Sequence, residues 1–479
     1  MESQAHNFKQ RADVALHDME LQKALGMLKG GLASKRSVAV AAMPEFDAVR
    51  DAGRDIKEHT LAHLDYYLEE FERNCVAAGG QVHWASSVEE AREIIVRLCA
   101  DAAAKRVTKG KSMVGEEIGV NEALEAAGVD VLETDLGEYI IQLAGEPPSH
   151  IIAPAIHKTK EQVTELFYKH HAKHGKTERV TEVGDIVNEA REVLREGFLS
   201  ADVGITGANF LVAESGSSVI VTNEGNGDLT NTLPRVHIVT AGIEKVVPTF
   251  EDVSTILRLL GRSATGQEMS SYTTFSTGPR RADDLDGPQE FHVLLLDNGR
   301  SEMLGNEFHD MLRCIRCSAC MNHCPVYGTV GGHAYGWVYP GPMGSVLTPV
   351  MLGIEKTSSL PNACTLNGRC EEVCPMQIPL PSMLRHLRER EYAQGLTPMF
   401  ARAAMAGWAF FAQRPKLYAL ATRLVVKALS LLGGKKGRLR WLAFAGAWTD
   451  ARDLPAPAGE TFQQAYRKRM QAKNKGLGG

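Results

Sequence analysis

Up to about residue 75 the apolar positions recur at helical spacing. Leu16, Leu21 and Leu25 begin the pattern, and Leu61, Leu64, Leu68 and Phe71 form a stripe down one helix face. From Gly80 the rhythm changes to short β-rich runs alternating with helical stretches. Gln81–Trp84, Val107–Met113, Val129–Leu132 and Ile151–Ala153 read as strands. Glu116–Ala127 and Lys158–His170 read as helices, and Ser87 to Glu90 form a capping box that opens another. Phe210–Ala213 and Ser218–Thr222 flank Glu214-Ser215-Gly216-Ser217 and predict a hairpin, and Arg235–Thr240 and Phe291–Leu296 add two strands. This alternation predicts an α/β domain with a mainly parallel sheet. From Leu380 the period is helical again, over Leu380–Tyr392, Met399–Gln413, Leu417–Leu432 and Leu439–Trp448, with a loosely held tail after Asp453. The expected organisation is a helical segment over 1–75, an α/β domain over 76–300, a cysteine-bearing module over 301–394 and a helical extension over 395–479.

The third of these parts is defined by chemistry rather than by periodicity. Cys314, Cys317, Cys320 and Cys324 stand in the spacing C-x2-C-x2-C-x3-C-P, closed by Pro325. That spacing wraps a loop around an iron–sulfur cubane so that three thiolates serve one cluster and the fourth serves another. Structural zinc draws its ligands from two separated pairs, which this run does not offer. A second block follows at Cys364, Cys370, Cys374 and Pro375, with Asn367 where a cysteine would complete the first block's pattern. Crossed ligation then predicts a four-thiolate site, Cys314, Cys317, Cys320 and Cys374, holding a [4Fe–4S] cluster. It also predicts a three-thiolate site, Cys324, Cys364 and Cys370. The latter suits either a [3Fe–4S] cluster or a [4Fe–4S] cluster whose fourth iron takes a non-thiolate ligand such as Asn367. The other reading of Asn367 is a loop residue that hydrogen-bonds a cluster sulfur.

Composition narrows the classes. Hydrophobic content of 44% and charged content of 23% are those of an ordinary soluble protein. Seven of the nine cysteines sit in the two blocks, which excludes a disulfide scaffold and implies a reducing, cytoplasmic setting. Cys75 and Cys99 fall in helical patterns and read as buried, inert thiols. The polar start carries no signal-peptide pattern, and no run of eighteen apolar residues predicts a membrane span. Neither GxGxxG nor a P-loop occurs, so a nicotinamide or nucleotide role is unsupported, and no nucleic-acid partner is expected.

The net charge of −5 conceals an asymmetry, because 15 Lys or Arg stand against 3 Asp or Glu from Gly395 onward. Such basic amphipathic helices dock an acidic partner, close the back of the cluster module, or lie on an anionic membrane surface.

Other candidates are weaker. The glycine-rich stretch Glu224–Asp228 offers main-chain amides to an anion, or is plain turn chemistry. His59 and His63, one turn apart, are core or surface residues before they are a metal pair. Gly328–Pro349, with His333, Tyr335 and Trp337, reads as a rigid cover over a cluster or as a structured connector.

Four words in the chain carry a resemblance: C-I-R-C-S-A-C-M-N-H-C-P-V-Y, G-G-H-A-Y-G-W-V-Y-P-G-P, P-P-S-H-I-I-A-P-A-I-H-K and A-E-S-G-S. With them the chain resembles the lactate utilisation protein B family, the iron–sulfur subunits of a three-component L-lactate utilisation system. The resemblance implies a lactate-utilisation α/β domain of the sugar-isomerase/CoA-transferase-like type, followed by an α-helical two-cluster ferredoxin-like domain. It also implies electron transfer during oxidation of L-lactate to pyruvate, together with two partner proteins and an acceptor such as a quinone. By fold-level analogy with CoA-transferases, Glu214 is the candidate catalytic carboxylate. One departure stands out. The family usually reads C-x2-C-x3-C-P in the second block, beginning at the place of Asn367. The C-x5-C-x3-C-P found here is similar instead to succinate dehydrogenase iron–sulfur subunits, where one cluster has three irons.

An electron-transfer subunit that is inactive alone is therefore the leading expectation, since no flavin motif is visible. A glycolate-type substrate and an iron–sulfur regulatory module are the alternatives.

Overall fold

The computed structural model describes residues 3–442, 446–449 and 452–476. The chain forms two compact units, Met1–Ala393 and Gln394–Gly479. The first contains ten strands: β1 Gln81–Ala85, β2 Arg106–Lys109, β3 Asp130–Glu133, β4 Val203–Gly207, β5 Phe210–Val212, β6 Ser217–Thr222, β7 Val236–Gly242, β8 Val246–Val247, β9 Tyr272–Ser276 and β10 Glu290–Leu296. Six of them make an all-parallel sheet in the order β1-β10-β7-β4-β2-β3.

The inner strands are apolar on both faces, as a sheet covered on both sides requires. On one face Val107, Val203, Ile238 and Leu294 meet Ile94, Ile95 and Leu98 of the helix Val88–Asp101. On the other, Val239, Ala241, Val293 and Leu295 meet the stripe Leu64, Leu68 and Phe71 of the helix Leu64–Ala77. The alternation along β7 and β10 thus assigns successive side chains to opposite layers.

A smaller sheet in the order β8-β5-β6-β9 carries the predicted hairpin, with β5 and β6 antiparallel and Gly216 at φ 67° in its turn. It shares one hydrophobic core with the helix Phe250–Ala264, the N-terminal helices and the cysteine loops. Phe8, Phe46, Val212, Ile256, Met311 and Met376 all belong to that core.

Several elements differ from expectation. Ile151–Ala153 is not a strand: the His150 Nδ1 accepts the N–H groups of Ile152 (3.0 Å) and Ala153 (3.1 Å), which folds this segment back on itself. The strand expected over Val107–Met113 ends at Lys109. The helix expected over Glu116–Ala127 is two helices, Met113–Ile118 and Val120–Ala126, divided at Gly119 (φ 62°). The Glu90 carboxylate takes the Ser86 N–H (2.7 Å) rather than that of the cap Ser87, so the capping box is shifted by one residue on its return bond.

The second unit contains the helices Met399–Ala412, Pro415–Gly433 and Phe462–Gly476. The helix expected over Leu439–Trp448 is replaced. Arg438–Leu439 pairs antiparallel with Leu454–Pro455, Gly446–Thr449 is a single helical turn, and residues 443–445 lie outside those described. The stretch expected to be a loose tail holds the fifteen-residue helix Phe462–Gly476, and only 477–479 of it lie outside the described residues. By length and composition alone, Pro415–Lys436 is long and apolar enough to cross a membrane, which corrects the expectation that no segment is. Lys416, Arg423 and Lys427 interrupt its apolar run and mask it in the sequence.

Candidate metal centre

The two cysteine blocks are built on the same backbone. In the first, Arg316 and Ser318 lie at φ 59° and 62°; in the second, Leu366 and Gly368 lie at φ 54° and 81°. Left-handed residues at alternate positions curl a loop so that its amides and side chains face a common point. Each loop then enters a four-residue helix, Ala319–Asn322 or Arg369–Glu372. Register follows residue by residue: Cys314 corresponds to Cys364, Cys317 to Asn367, Cys320 to Cys370 and Cys324 to Cys374.

The thiols fall into two groups that cross between the blocks. Cys317 is within electrostatic reach of Cys374 and Cys314, and Cys320 of Cys314, Cys317 and Cys374 first and, more weakly and across the two groups, of Cys370. Cys370 is within reach of Cys364 and Cys324, and Cys324 of Cys364. Cys314, Cys317, Cys320 and Cys374 line one small cavity whose other walls are apolar except for Arg316 and Ser318, with Ile151, Ile315, Met343 and Ile378 among them. Burial pushes the Cys317 and Cys320 thiols well up and the Cys370 thiol up to about 12. A cation that replaces the proton relieves that cost. Main-chain N–H groups of Tyr327, Leu366 and Ile378 donate to the sulfurs of Cys324 (3.5 Å), Cys364 (3.3 Å) and Cys374 (3.5 Å). The Tyr335 hydroxyl faces Cys324 and favours its thiolate. Convergent thiols, N–H donors aimed at sulfur and an apolar wall are the environment of an iron–sulfur cluster, so the residues fit that group.

Asn367 takes the role of its counterpart. Its Oδ1 accepts the Arg369 N–H at 3.1 Å, and the Cys317 sulfur accepts the Ala319 N–H from the same position in the other loop. It is exposed, with Thr365 and Leu366 beside it, whereas Cys317, Ser318 and Ala319 are buried.

The surroundings fix both loops. Arg36 donates to the Val373 carbonyl (2.9 Å), Arg50 to that of Cys374 (2.8 Å) and Arg388 to that of Cys364 (2.9 Å). His150, almost wholly buried, reaches the Asn322 Oδ1 at 2.9 Å inside the first block, and burial lowers its pKa to about 4. Tyr335 and Trp337 are buried as a cover requires, and the His333 Nε2 meets the Pro147 carbonyl at 2.8 Å. A side chain at Gly332 would lie 1.7 Å from the Ser149 carbonyl, so the glycine-rich connector and the P-P-S-H segment are packed backbone to backbone.

A second cavity, of about 220 Å³, lies outside the carboxyl ends of β2, β4 and β7 and reaches Arg316 of the first cysteine loop. A buried network joins the two regions. Arg300 forms a bidentate pair with Glu117 (3.0 and 2.7 Å) and approaches Glu244 at 2.9 Å, which in turn faces Arg316 at 3.5 Å. Burial opposes the Glu244 charge, but Arg300, Lys245 and Arg316 outweigh it and hold its carboxyl down at about 2. Burial lowers Lys245 to about 8.

Sequence reasoning did not find Lys245, Arg300, Arg316 or His150. Only the spacing of Arg316 between two cysteines offered a signal. Of the candidates it did name, Glu224, Asn226 and Gly227 of the glycine-rich stretch line this cavity. Glu214 does not: it is exposed, and its carboxylate accepts the Phe250 N–H (2.7 Å) at the start of a helix. The His59 Nε2 meets the Tyr67 hydroxyl (2.9 Å), with the His63 ring 5.0 Å away, and no carboxylate or cysteine joins them among the described residues. Cys75 and Cys99 are buried, with burial pushing both thiols up to about 12.

Comparison with known proteins finds three family matches along the chain. Residues 68–296 match the LUD domain, 310–378 the 4Fe-4S dicluster domain and 379–471 the C-terminal domain of lactate utilisation protein B. Lactate utilization protein B of Anoxybacillus flavithermus is 43% identical over 96% of this chain and 98% of its own. That of Shouchella clausii is 44% identical over 97% of both. The uncharacterized electron transport protein YkgF of Escherichia coli is 40% identical over 98% of both.

Proposed function

The chain belongs to the lactate utilisation protein B family, and from that premise we propose that it is the iron–sulfur electron carrier of lactate oxidation. The observation that carries this reading is the crossed grouping of seven cysteines on two matching loops. Cys314, Cys317, Cys320 and Cys374 hold a [4Fe–4S] cluster, and Cys324, Cys364 and Cys370 hold a [3Fe–4S] cluster. When bound, these groups supply one-electron carriers between a two-electron donor and an acceptor.

The protein's own part is positioning. The Tyr335 hydroxyl and the N–H groups on Cys324, Cys364 and Cys374 stabilise the extra negative charge of a reduced centre. The apolar wall around the four-cysteine site keeps water from its sulfurs. The buried first loop borders the sheet, and the exposed Thr365–Asn367 edge of the second is the exit towards an acceptor. The amide of Asn367 is a weak, neutral donor for iron beside a thiolate, which leaves its corner of the cluster open.

Hydride removal from lactate falls to partner subunits, two in number. The second unit docks the chain on an anionic membrane surface next to a quinone pool. It exposes Phe400, Trp408, Leu424, Leu431 and Trp441 among its basic residues. Cosedimentation with anionic vesicles tests this; failure to bind them while binding the partner subunits would assign that surface to protein docking. For the carrier role itself, reconstitution without oxygen with the co-purifying proteins should give lactate-dependent reduction of both centres. Centres that cannot be reversibly reduced would argue for a structural or sensing role.

A further inference from the structure

The parallel sheet has a point at which its connections diverge. From β2 the chain proceeds to β3 on one side, and from β4 it passes through β5 and β6 of the smaller sheet before it re-enters at β7 on the other side. The loops leaving the carboxyl ends of β2 and β4 therefore part company, and in open α/β sheets that crevice is where ligands bind. The 220 Å³ cavity lies there, lined by Lys111 and Ser112 after β2 and by Ala208 and Asn209 after β4.

Two of its lining groups lack a hydrogen-bond partner. Lys245 is 8% exposed, and its ammonium makes no hydrogen bond among the described residues; Glu244 and Cys314 favour its charge without direct contact. Asn226 is 7% exposed, and its Oδ1 accepts no hydrogen bond among the described residues. Buried polar groups are almost always hydrogen-bonded, so an ammonium without a hydrogen bond and an unpaired acceptor on one cavity signal a ligand that supplies both complements. Glu224 also lines the cavity and has no ion-pair partner among the described residues, while the remaining charges there are already engaged. Asp135 caps the helix Leu136–Ala144 and lies 3.8 Å from Lys111, and Glu244 is held by Arg300. The Arg316 guanidinium stands over the Tyr339 ring at 4.9 Å and donates to the Met343 sulfur at 3.1 Å.

We propose that this cavity binds a small carboxylate of the 2-hydroxy acid class, with Lys245 anchoring the carboxylate and the Asn226 Oδ1 accepting from the hydroxyl. A cavity of about 220 Å³ suits a small acid better than a dinucleotide, and the unpaired acceptor favours an acid that carries a hydroxyl over one that does not. Only binding is assigned: no bond is made or broken here, and the class of ligand rests on the lactate-oxidation reading. Arg316 belongs to the loop of Cys314 and Cys317, so an anion in the cavity is felt at the four-cysteine site.

Calorimetric titration of the full, cluster-loaded chain under anaerobic conditions tests this, with L-lactate, propionate and inorganic phosphate as probes. L-Lactate should bind at one saturable site, more tightly than propionate or phosphate. Lys245→Gln should weaken it by at least tenfold, and Asn226→Ala should erase the preference over propionate, with iron content and EPR spectra unchanged in both. Lys245→Arg should restore part of the affinity. Absence of saturable binding to a chain carrying both clusters would overturn the proposal, as would equal affinity in Lys245→Gln or phosphate binding as tightly as lactate. The binding readout is independent of electron transfer, so loss of the clusters and loss of the site are separate results.

Discussion

The two cysteine loops share a backbone but differ in what surrounds them. The first is buried against the sheet domain, with Arg316 on the cavity wall and His150 bonded to Asn322. The second is open to solvent at Thr365, Leu366 and Asn367, and Asn367 replaces a thiol at the position of Cys317. Under the proposed assignment, a single fold of the loop serves two ends of one path: an insulated centre next to a candidate ligand cavity, and an exposed centre with one weaker corner. The lesson is that left-handed residues at alternate positions fix the cradle, while the identity of one side chain fixes what it can hold.

The largest test of this contrast exchanges ligands across the blocks. Cys374→Ser, in the second block, should remove the four-cysteine cluster that belongs mostly to the first. Cys324→Ser, in the first block, should remove the three-cysteine cluster. EPR and iron analysis should show loss of one centre with the other preserved, and loss of the centre in the mutated block would break the crossed assignment.

Next in size is Asn367→Cys, which should make the loops equivalent. Iron should rise by about one per chain, and the oxidised-state EPR signal should vanish as a [4Fe–4S] cluster replaces the [3Fe–4S] form.

A pH test probes only the first loop. The folded pKa of His150 is about 4, below the ordinary histidine value of 6.5, because burial disfavours its charge. The unfolded chain then binds more protons, so stability is present above pH 6.5 and is lost as pH falls towards 4. The shift corresponds to about 3 kcal/mol. Denaturant melts of His150→Asn should show a shallower loss over that window than wild type, and an identical slope would remove His150 from the account.

The smallest effect is on potential. Tyr335→Phe deletes the hydroxyl that faces the Cys324 sulfur and should lower the potential of the three-cysteine centre by on the order of tens of millivolts, leaving the other unmoved. Redox titration followed by EPR separates the two.

Much of this was legible in the residues. The cysteine spacing, the gap at Asn367, the stripe Leu64–Phe71 and the hairpin around Gly216 are local patterns, and local patterns are what a sequence displays; Leu61, expected on the same face, ends the preceding helix Phe46–Ala62 and packs in another core. The strand β4 was not, because V-G-I-T-G contains two glycines and carries little β signal; Gly204 has no room for a side chain, with the Thr230 carbonyl 1.8 Å from where one would begin. Ile151–Ala153 looks like a strand by composition, but the ring of His150 captures its amides. Lys245, Asn226 and Arg316 are far apart in the chain and are joined only where the sheet's connections diverge, which no window of residues contains. Glu214 illustrates the reverse. A loop word that suggested chemistry accounts for itself as a helix cap.

Iron and acid-labile sulfide per chain, measured with EPR on protein purified without oxygen, test the central claim most directly. The account predicts about seven irons and a signal in the oxidised state that reduction abolishes, as a second signal appears from the four-cysteine site. About eight irons and silence before reduction would contradict the three-thiolate site, and colourless protein without sulfide would contradict the whole assignment.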